Sequence, residues 1–270
     1  MTLEKMTRNI ETAESKDPGW KALLQLGGAA ALIAAIFFRR NLAEEYLLFR
    51  QLGVFSSGPR VLPASALDCY TVFHSHRLVG LTLLNLFDIV NYVLVSAIFL
   101  GLYAALRRVD RGLMTLAAAL ALMGTTIYLA SNQAFAMLSL SDRYWSASTE
   151  AQRTMLLAAG EALLAIQNAG ANYGAGIYVS FLFVSLAGLI AATVMFRSKE
   201  FGKAAAFLGI AANLFGLGYY VTNWLSPALN AIPLSASAPF LLVWYLRIGW
   251  VLIRLANGRE SGSASAGPLQ

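Results

Sequence analysis

The chain contains six long runs of apolar residues, separated by polar stretches. A helix needs about 20 apolar residues to cross roughly 30 Å of hydrocarbon, and the runs are close to that length. Strands of a membrane barrel would instead alternate apolar and polar residues. The pattern therefore predicts an all-α polytopic membrane protein. Its six predicted spans are Trp20–Phe38, Leu78–Leu106, Leu113–Leu138, Tyr173–Phe196, Ala204–Leu225 and Phe240–Ala256.

The outer loops contain shorter amphipathic patterns. Leu42–Leu52 and Ala64–His76 repeat apolar residues at helical spacing. Thr149 and Gln152 have the spacing of a capping box, which predicts a helix that runs to about Gln167. Helices of this type are typical of the membrane interface. We therefore expect amphipathic interfacial helices between the spans.

The two ends of the chain differ from the apolar middle. Residues 1–19 are polar and predict a cytoplasmic tail, whereas residues 20–256 predict a single six-helix transmembrane domain. Residues 257–270 are rich in Gly and Ser and predict disorder. A signal peptide is the alternative for the first run, because basic residues precede it. Arg39 and Arg40 stand where a cleavage site needs small residues, so a retained span is favoured.

Composition and charge agree with a membrane protein. The chain is 58% apolar and 13% charged, with a mean hydropathy of +0.61. Its net charge is +6, but Lys and Arg concentrate in the turns near Arg108 and Lys199, as the positive-inside rule predicts. The positive charge therefore predicts the orientation of the spans in the membrane. It predicts membrane lipid as a partner and no binding of nucleic acid. Both termini are predicted to be cytoplasmic, in a multi-pass protein of the cell membrane.

Ionisable residues inside two spans are the main clue to function. Asp88 lies between the carboxamides of Asn85 and Asn91 in span two, and Arg247 lies in span six. Charges in hydrocarbon are costly and usually face a protein interior or a water-filled cavity. We therefore expect Asp88 and Arg247 to face a shared interior, although their heights differ by about 13 Å at 1.5 Å per residue.

Other polar residues fall at related heights in the neighbouring spans. Counting from the inner ends places Asp88 level with Asn132, Tyr178 and Asn223, about 28 Å from the inner face. These residues predict an outward-facing polar pocket. Its candidate ligand-binding residues are Asn85, Asp88, Asn91, Tyr92, Asn132, Tyr178, Asn213, Asn223 and Arg247.

Three functions fit such an arrangement. The first is binding or transport of a small polar or amphiphilic molecule, with Arg247 meeting an anionic group. The second is a non-catalytic scaffold or regulatory protein, in which the same side chains form a network that holds the helices in register. The third is an intramembrane enzyme without a recognised motif.

Common catalytic and metal motifs are missing from the sequence. Cys69 is the single cysteine, which excludes an internal disulfide and a thiolate metal cluster. His74 and His76 diverge on a helix and do not predict a metal site. Hydrolase, metalloprotease and Walker motifs are absent. No catalytic residue, metal or cofactor is predicted, and Glu161 is assigned to the solvated side of the outer helix.

Two stretches resemble a bacterial membrane family known as domain of unknown function 4386 (DUF4386). One runs from His76-Arg77-Leu78 to Leu106-Arg107-Arg108-Val109-Asp110-Arg111, and the other contains Phe196-Arg197-Ser198-Lys199. The resemblance covers about Arg50 to Gly258, with His76 where the family usually has Phe. It implies a bacterial inner-membrane protein of about six helices and supplies no activity or site residues.

Overall fold

The fold is that of a computed structural model, which describes residues 18–51, 65–172, 175–226, 229 and 231–264. Within these ranges every regular element is helical and no strand is present, so the all-α prediction is confirmed. In chain order the helices are α1 (Pro18–Gln51), α2 (Ala66–Ser75), α3 (Arg77–Leu83), α4 (Leu86–Leu106), α5 (Arg111–Ser131), α6 (Ala134–Ser146), α7 (Glu150–Asn172), α8 (Ala175–Met195), α9 (Gly202–Leu225) and α10 (Ala231–Ala264).

Six helical segments of the described chain are long and apolar enough to cross a membrane. They are Gly19–Ile36, Leu86–Leu106, Arg111–Ser146, Gly176–Met195, Gly202–Leu225 and Ile232–Gly258. The predicted number of spans is therefore confirmed, and the chain is an integral multi-pass membrane protein.

The first helix is longer than predicted. The backbone of α1 continues through Arg39 and Arg40 to Gln51, so Leu42–Leu52 does not begin a separate interfacial helix. Neither Gly nor Pro occurs between Gly28 and Gly53. A helix that has started propagates at little cost until such a residue interrupts it.

The second and third spans are broken, although the sequence predicted continuous helices. The chain leaves helical conformation at Leu84–Asn85, between α3 and α4, and again at Asn132–Gln133, between α5 and α6. Asn85 has a positive φ of 69°. Asn tolerates this left-handed conformation better than most residues, and its side chain competes for backbone hydrogen bonds. Apolar periodicity alone could not place these breaks.

The predicted turn Ser226–Pro239 is helical from residue 231 onward, because α10 begins there. At its other end, α10 continues past Ala256 into the predicted tail. Pro233 lies in the first turn, where its missing N–H costs no hydrogen bond. The Ser237 hydroxyl donates to the Ala212 carbonyl of α9 over 2.8 Å and fastens this part of α10. Residues 1–17, 52–64 and 265–270 lie outside the described residues, and with them most of the predicted N-terminal tail and part of the predicted C-terminal tail.

Two of the helices predicted between the spans are present. Helix α2 starts within the predicted Ala64–His76 segment, and α7 starts directly after Thr149. The Thr149 hydroxyl accepts a hydrogen bond from the Gln152 N–H over 3.3 Å. The Gln152 side chain accepts in turn from the Ser148 N–H over 3.2 Å, one residue earlier than a standard capping box.

The chain divides into two compact units. The first unit comprises Met1–Ile36, Leu94–Leu122 and Ser185–Gln270, and the second comprises Phe37–Val93 and Met123–Val184. Helices α1, α4, α5 and α8 each contribute a segment to both units. The single transmembrane domain of residues 20–256 stays a prediction.

Glycine contacts hold three helices of the first unit together. A Cβ atom on Gly27 of α1 would lie 2.7 Å from the Gly101 Cα of α4, closer than side-chain atoms approach backbone. A Cβ on Gly28 would lie 3.2 Å from the Gly249 carbonyl oxygen of α10. Small residues let membrane helices approach closely and gain van der Waals contact. Helix α1 therefore packs backbone to backbone against α4 and α10.

Two basic turns and the C-terminal part of α10 share one end of the first unit. Arg197 pairs with Asp110 over 3.4 Å and joins the α8–α9 turn to the α4–α5 turn. Arg254 of α10 pairs with Glu200 over 3.3 Å. We call this region the basic end.

In the second unit, α2, α3, α6 and α7 pack into a layer that we call the helical cap. Tyr70 is fully buried at its centre and donates its hydroxyl proton to the Leu156 carbonyl over 2.8 Å. The Tyr70 carbonyl accepts from Ser141 over 3.1 Å and from Trp145 over 3.2 Å. The apolar residues buried around Tyr70 are Ala66, Cys69, Phe73, Leu84, Ala134, Met137 and Leu164.

Glu161 has a structural role that the sequence did not reveal. Its carboxylate accepts a hydrogen bond of 2.7 Å from the Ala66 N–H, in the first turn of α2. The N–H groups at a helix N-terminus lack partners within the helix, and a negative charge there is favourable. The assignment of Glu161 to a merely solvated surface was wrong, because α7 lies against the N-terminus of α2.

Candidate functional site

The two helix breaks of the second unit meet at Asn132. Its side-chain NH₂ group lies 3.5 Å from the Leu84 carbonyl, beside the first break, and its side-chain oxygen accepts from the Ala134 N–H over 3.0 Å. One carboxamide thus links the end of α3 to the start of α6. The predicted ligand residue Asn132 has backbone partners of its own.

Asp88 lies in the first turn of α4, immediately after the break at Asn85. The Ile89 N–H donates to the Asn85 carbonyl over 3.3 Å, which begins the helix there. The positive end of the helix dipole stabilises a carboxylate in this position by about 0.3–1 kcal/mol, and more where it is partly buried. The half-buried Asp88 therefore has local electrostatic support that does not depend on Arg247.

Two tyrosines lie close to the breaks and stack on each other, Tyr128 one turn before Asn132 and Tyr92 two turns after Asn85. The rings of Tyr92 in α4 and Tyr128 in α5 are nearly parallel, with centroids 3.9 Å apart and planes inclined by 9°. The Thr125 hydroxyl donates to the Tyr92 carbonyl over 3.2 Å and adds a second link between the helices. Helix α8 approaches α5 at Gly124, where a Cβ would lie 2.9 Å from the Ser180 carbonyl oxygen.

Three buried polar atoms on these three helices lack a hydrogen-bond partner within the described part of the chain. They are the side-chain oxygen of Asn91 and the hydroxyl oxygens of Tyr128 and Ser180. Tyr128 is 2% exposed and Ser180 is fully buried. Leaving such an atom unsatisfied costs about 1–3 kcal/mol.

These atoms belong to one group of side chains. The Tyr128 hydroxyl lies close to the side chains of Asp88 and Asn132. Ser180 lies close to the Tyr92 hydroxyl. We call this group the polar cluster, and its members are Asp88, Asn91, Tyr92, Tyr128, Asn132 and Ser180.

The remaining predicted site residues lie elsewhere. Tyr178 and Asn85 belong to the second unit and are half-buried. Asn213 and Asn223 lie in the first unit and are buried. The Asn213 side chain donates to the Gly209 carbonyl over 2.7 Å, within its own helix, and packs against Gly188.

Arg247 does not point into an interior. Its side chain is exposed on α10 of the first unit, whereas Asp88 belongs to the second unit. The guanidinium carbon lies 5.0 Å from the centroid of the Trp250 ring, on the next turn of the helix. The expectation of a buried arginine was therefore wrong, because a long side chain can lie along the helix surface and carry its charge away from a costly depth.

Tyr128 and Ser180 escaped the sequence analysis. A hydroxyl within an apolar run is common, so neither residue is conspicuous alone. The available signal was spacing, since Tyr128 precedes Asn132 by four residues and Tyr92 follows Asp88 by four. Residues four apart lie on one helix face.

The described residues contain no group of three His, Cys, Asp or Glu side chains arranged to hold a metal ion. His74 stacks on Trp145 in the helical cap, with ring centroids 4.6 Å apart. The polar cluster contains one carboxylate, that of Asp88, and its other members carry carboxamides and hydroxyls.

Compared with protein families, curated proteins and solved structures, the chain shows no significant match.

Proposed function

We propose that this membrane protein binds a small polar molecule that carries hydrogen-bond donors, and preferably a positive charge, at the polar cluster. The observation that carries the proposal is the set of three buried polar atoms without partners, on Asn91, Tyr128 and Ser180, beside the Asp88 carboxylate. A ligand with donor groups would supply the missing hydrogen bonds and offset the cost of burying these atoms.

The chemistry of the cluster favours donors over acceptors. A carboxylate and a carboxamide oxygen only accept, and the hydroxyls of Tyr128 and Ser180 accept as well as donate. An ammonium group beside Asp88 would form a charge-assisted hydrogen bond, which is stronger than a neutral one. The anionic ligand of the sequence analysis loses support, because Arg247 lies exposed in the other unit.

The break at Asn132, which lies inside the apolar segment Arg111–Ser146, supports transport of the bound molecule. Irregular backbone within a membrane is tolerated where it is buried in protein or lines a cavity, and broken helices are typical of transporter binding sites. We place the cluster toward the outer face, with both termini cytoplasmic, on the strength of the basic turns. A bacterial inner membrane and membership of the DUF4386 family remain part of the proposal.

The contacts of Asn132 favour a second candidate, a structural network in a non-catalytic scaffold or regulatory protein. Both ends of its carboxamide contact backbone at the helix breaks. In that case the cluster fixes the register of α4, α5 and α8 and takes no ligand.

Thermal unfolding of the purified protein in detergent tests the proposal. Ethanolamine and 3-aminopropan-1-ol, whose ammonium groups donate hydrogen bonds, are compared with acetate and glycerol, which are similar in size and lack the positive charge. At a hundredfold excess over its dissociation constant, a ligand stabilises the folded protein by about 2.7 kcal/mol. We expect the ammonium compounds to raise the unfolding temperature of the native protein and the Asp88→Asn variant to lose this response.

The matched control is Asp142→Asn, which removes an exposed carboxylate of the helical cap that pairs with Arg77 over 2.8 Å. This variant should keep the native response to the ammonium compounds. An equal response of Asp88→Asn and the native protein, or no response to any compound, would favour the structural network.

A further inference from the structure

An exposed surface of α10 near the basic end carries two arginines on either side of one tryptophan. Arg247 and Arg254 lie seven residues apart on the same helix, with Trp250 between them. Their guanidinium carbons lie 5.0 Å and 4.8 Å from the centroid of the Trp250 ring. Trp250 is itself 50% exposed. Both positive charges are therefore held over one aromatic ring at the surface.

The charge of this surface is not fully balanced by the protein. Arg254 pairs with Glu200 over 3.3 Å, but both side chains are about half exposed, so the pair is weak. No carboxylate of the described chain pairs with Arg247. An unpaired guanidinium on a membrane-spanning helix is costly unless it meets water or an anion. The surface therefore complements a negatively charged group.

A groove lies next to these arginines. It has a volume of about 500 Å³, and helices α1 and α10 line it with Leu32, Trp250, Ile253, Arg254, Asn257 and Gly258. Gly258 lies beside open space, since a Cβ there would meet nothing within 4 Å. The lining combines an apolar wall with one cationic end.

We propose that this groove binds an anionic phospholipid, whose phosphate meets Arg247 and Arg254 and whose acyl chain lies along Leu32 and Ile253. Trp and Arg are enriched where membrane helices meet the headgroup layer, which is the level at which a phosphate would lie. Arg recognises phosphate through its planar fork of N–H donors. The apolar wall selects a lipid over a free phosphate, which has no acyl chain to place there.

This site is independent of the polar cluster, since all its residues belong to the first unit. The two proposals therefore fail or succeed separately.

Native mass spectrometry of the detergent-solubilised protein tests the proposal. Dioleoylphosphatidylglycerol is titrated against dioleoylphosphatidylcholine, which has the same chains and no net charge. We expect the native protein to prefer the anionic lipid. Arg247→Gln should reduce this preference about fivefold, the effect of roughly 1 kcal/mol for one basic residue near a lipid surface.

Two variants and one soluble anion separate this site from general attraction of charge. Arg143→Gln removes an exposed arginine from the helical cap of the other unit and should keep the native preference. Gly258→Leu should fold normally, because its side chain enters open space, and should lower the occupancy of both lipids. Inorganic phosphate at the same concentration should not displace the lipid.

An equal loss of preference for the anionic lipid in Arg247→Gln and Arg143→Gln would overturn the proposal. It would show that the lipid is attracted by positive charge anywhere on the protein and not by this groove. Displacement of the lipid by inorganic phosphate, or unchanged lipid occupancy in Gly258→Leu, would also overturn it.

Discussion

Gly27→Ala is expected to lower the free energy of unfolding by about 2–3 kcal/mol, enough to reduce the yield of folded protein. The new Cβ would lie 2.7 Å from the Gly101 Cα and 2.9 Å from the Ala97 carbonyl oxygen. Both are backbone atoms, so no side chain can rotate away and α1 must separate from α4. Unfolding in a graded mixture of detergents measures the change.

Gly112→Ala is the matched control, since it makes the same substitution in helix α5. Its Cβ would have one neighbour within 4 Å, the Asp110 carboxylate oxygen at 3.7 Å, which is an ordinary contact. Alanine favours a helix over glycine by up to about 1 kcal/mol, so this variant should be neutral or slightly more stable. Native stability in Gly27→Ala would contradict the close packing of α1 on α4.

The Cys69 thiol is expected to react with iodoacetamide at pH 8 at least a hundredfold more slowly in the folded protein than in sodium dodecyl sulfate. Burial raises the pKa of Cys69 to about 11, and the negative charges of Asp68 and Glu161 add to the effect. Because the thiolate is the reactive form, a pKa near 11 instead of 9 lowers its fraction at pH 8 about a hundredfold. Mass spectrometry of the labelled chain measures the rate, and Cys69 is the only cysteine.

The same pKa gives the sign of a pH effect on the helical cap. The Cys69 thiol ionises near pH 9 in the unfolded chain and near pH 11 in the folded protein. Its contribution to the free energy of unfolding is therefore fully present below pH 9 and is lost as the pH rises toward 11. A Cys69→Ser variant should lack this contribution. Rapid labelling at pH 8 under native conditions would show that Cys69 is not enclosed by α2, α6 and α7.

The spans could be predicted from the sequence because crossing a bilayer requires a long apolar helix, and length and hydropathy are read directly. Helix ends were harder to predict. Residues 231–239 were taken for a turn because of their prolines, yet Pro233 lies in the first turn, where Pro is tolerated, and α10 accommodates Pro239 inside the helix at the cost of one backbone hydrogen bond. Likewise, α1 extends to Gln51 because polar residues alone do not end a helix.

The candidate site was predicted in part. Counting residues gives the height of a side chain along a span, and it placed Asp88 level with Asn132, which lies in the same unit, and with Asn223, which lies in the other unit. Counting does not give the direction in which a long side chain points, so Arg247 was misplaced. The hydrogen bond from Asn132 to the Leu84 carbonyl joins the two breaks across 48 residues of sequence, and apolar periodicity does not encode such a contact.

The most direct measurement is the thermal unfolding of Tyr128→Phe with and without ethanolamine. If the buried Tyr128 hydroxyl forms its hydrogen bond only with a bound ligand, the Tyr128→Phe substitution should raise the free energy of unfolding of the ligand-free protein by about 1 kcal/mol. The reason is that the substitution removes a polar atom that has no partner in the ligand-free protein. The same variant should show a smaller stabilisation by ethanolamine than the native protein. A less stable free protein with an undiminished response to ethanolamine would contradict the account.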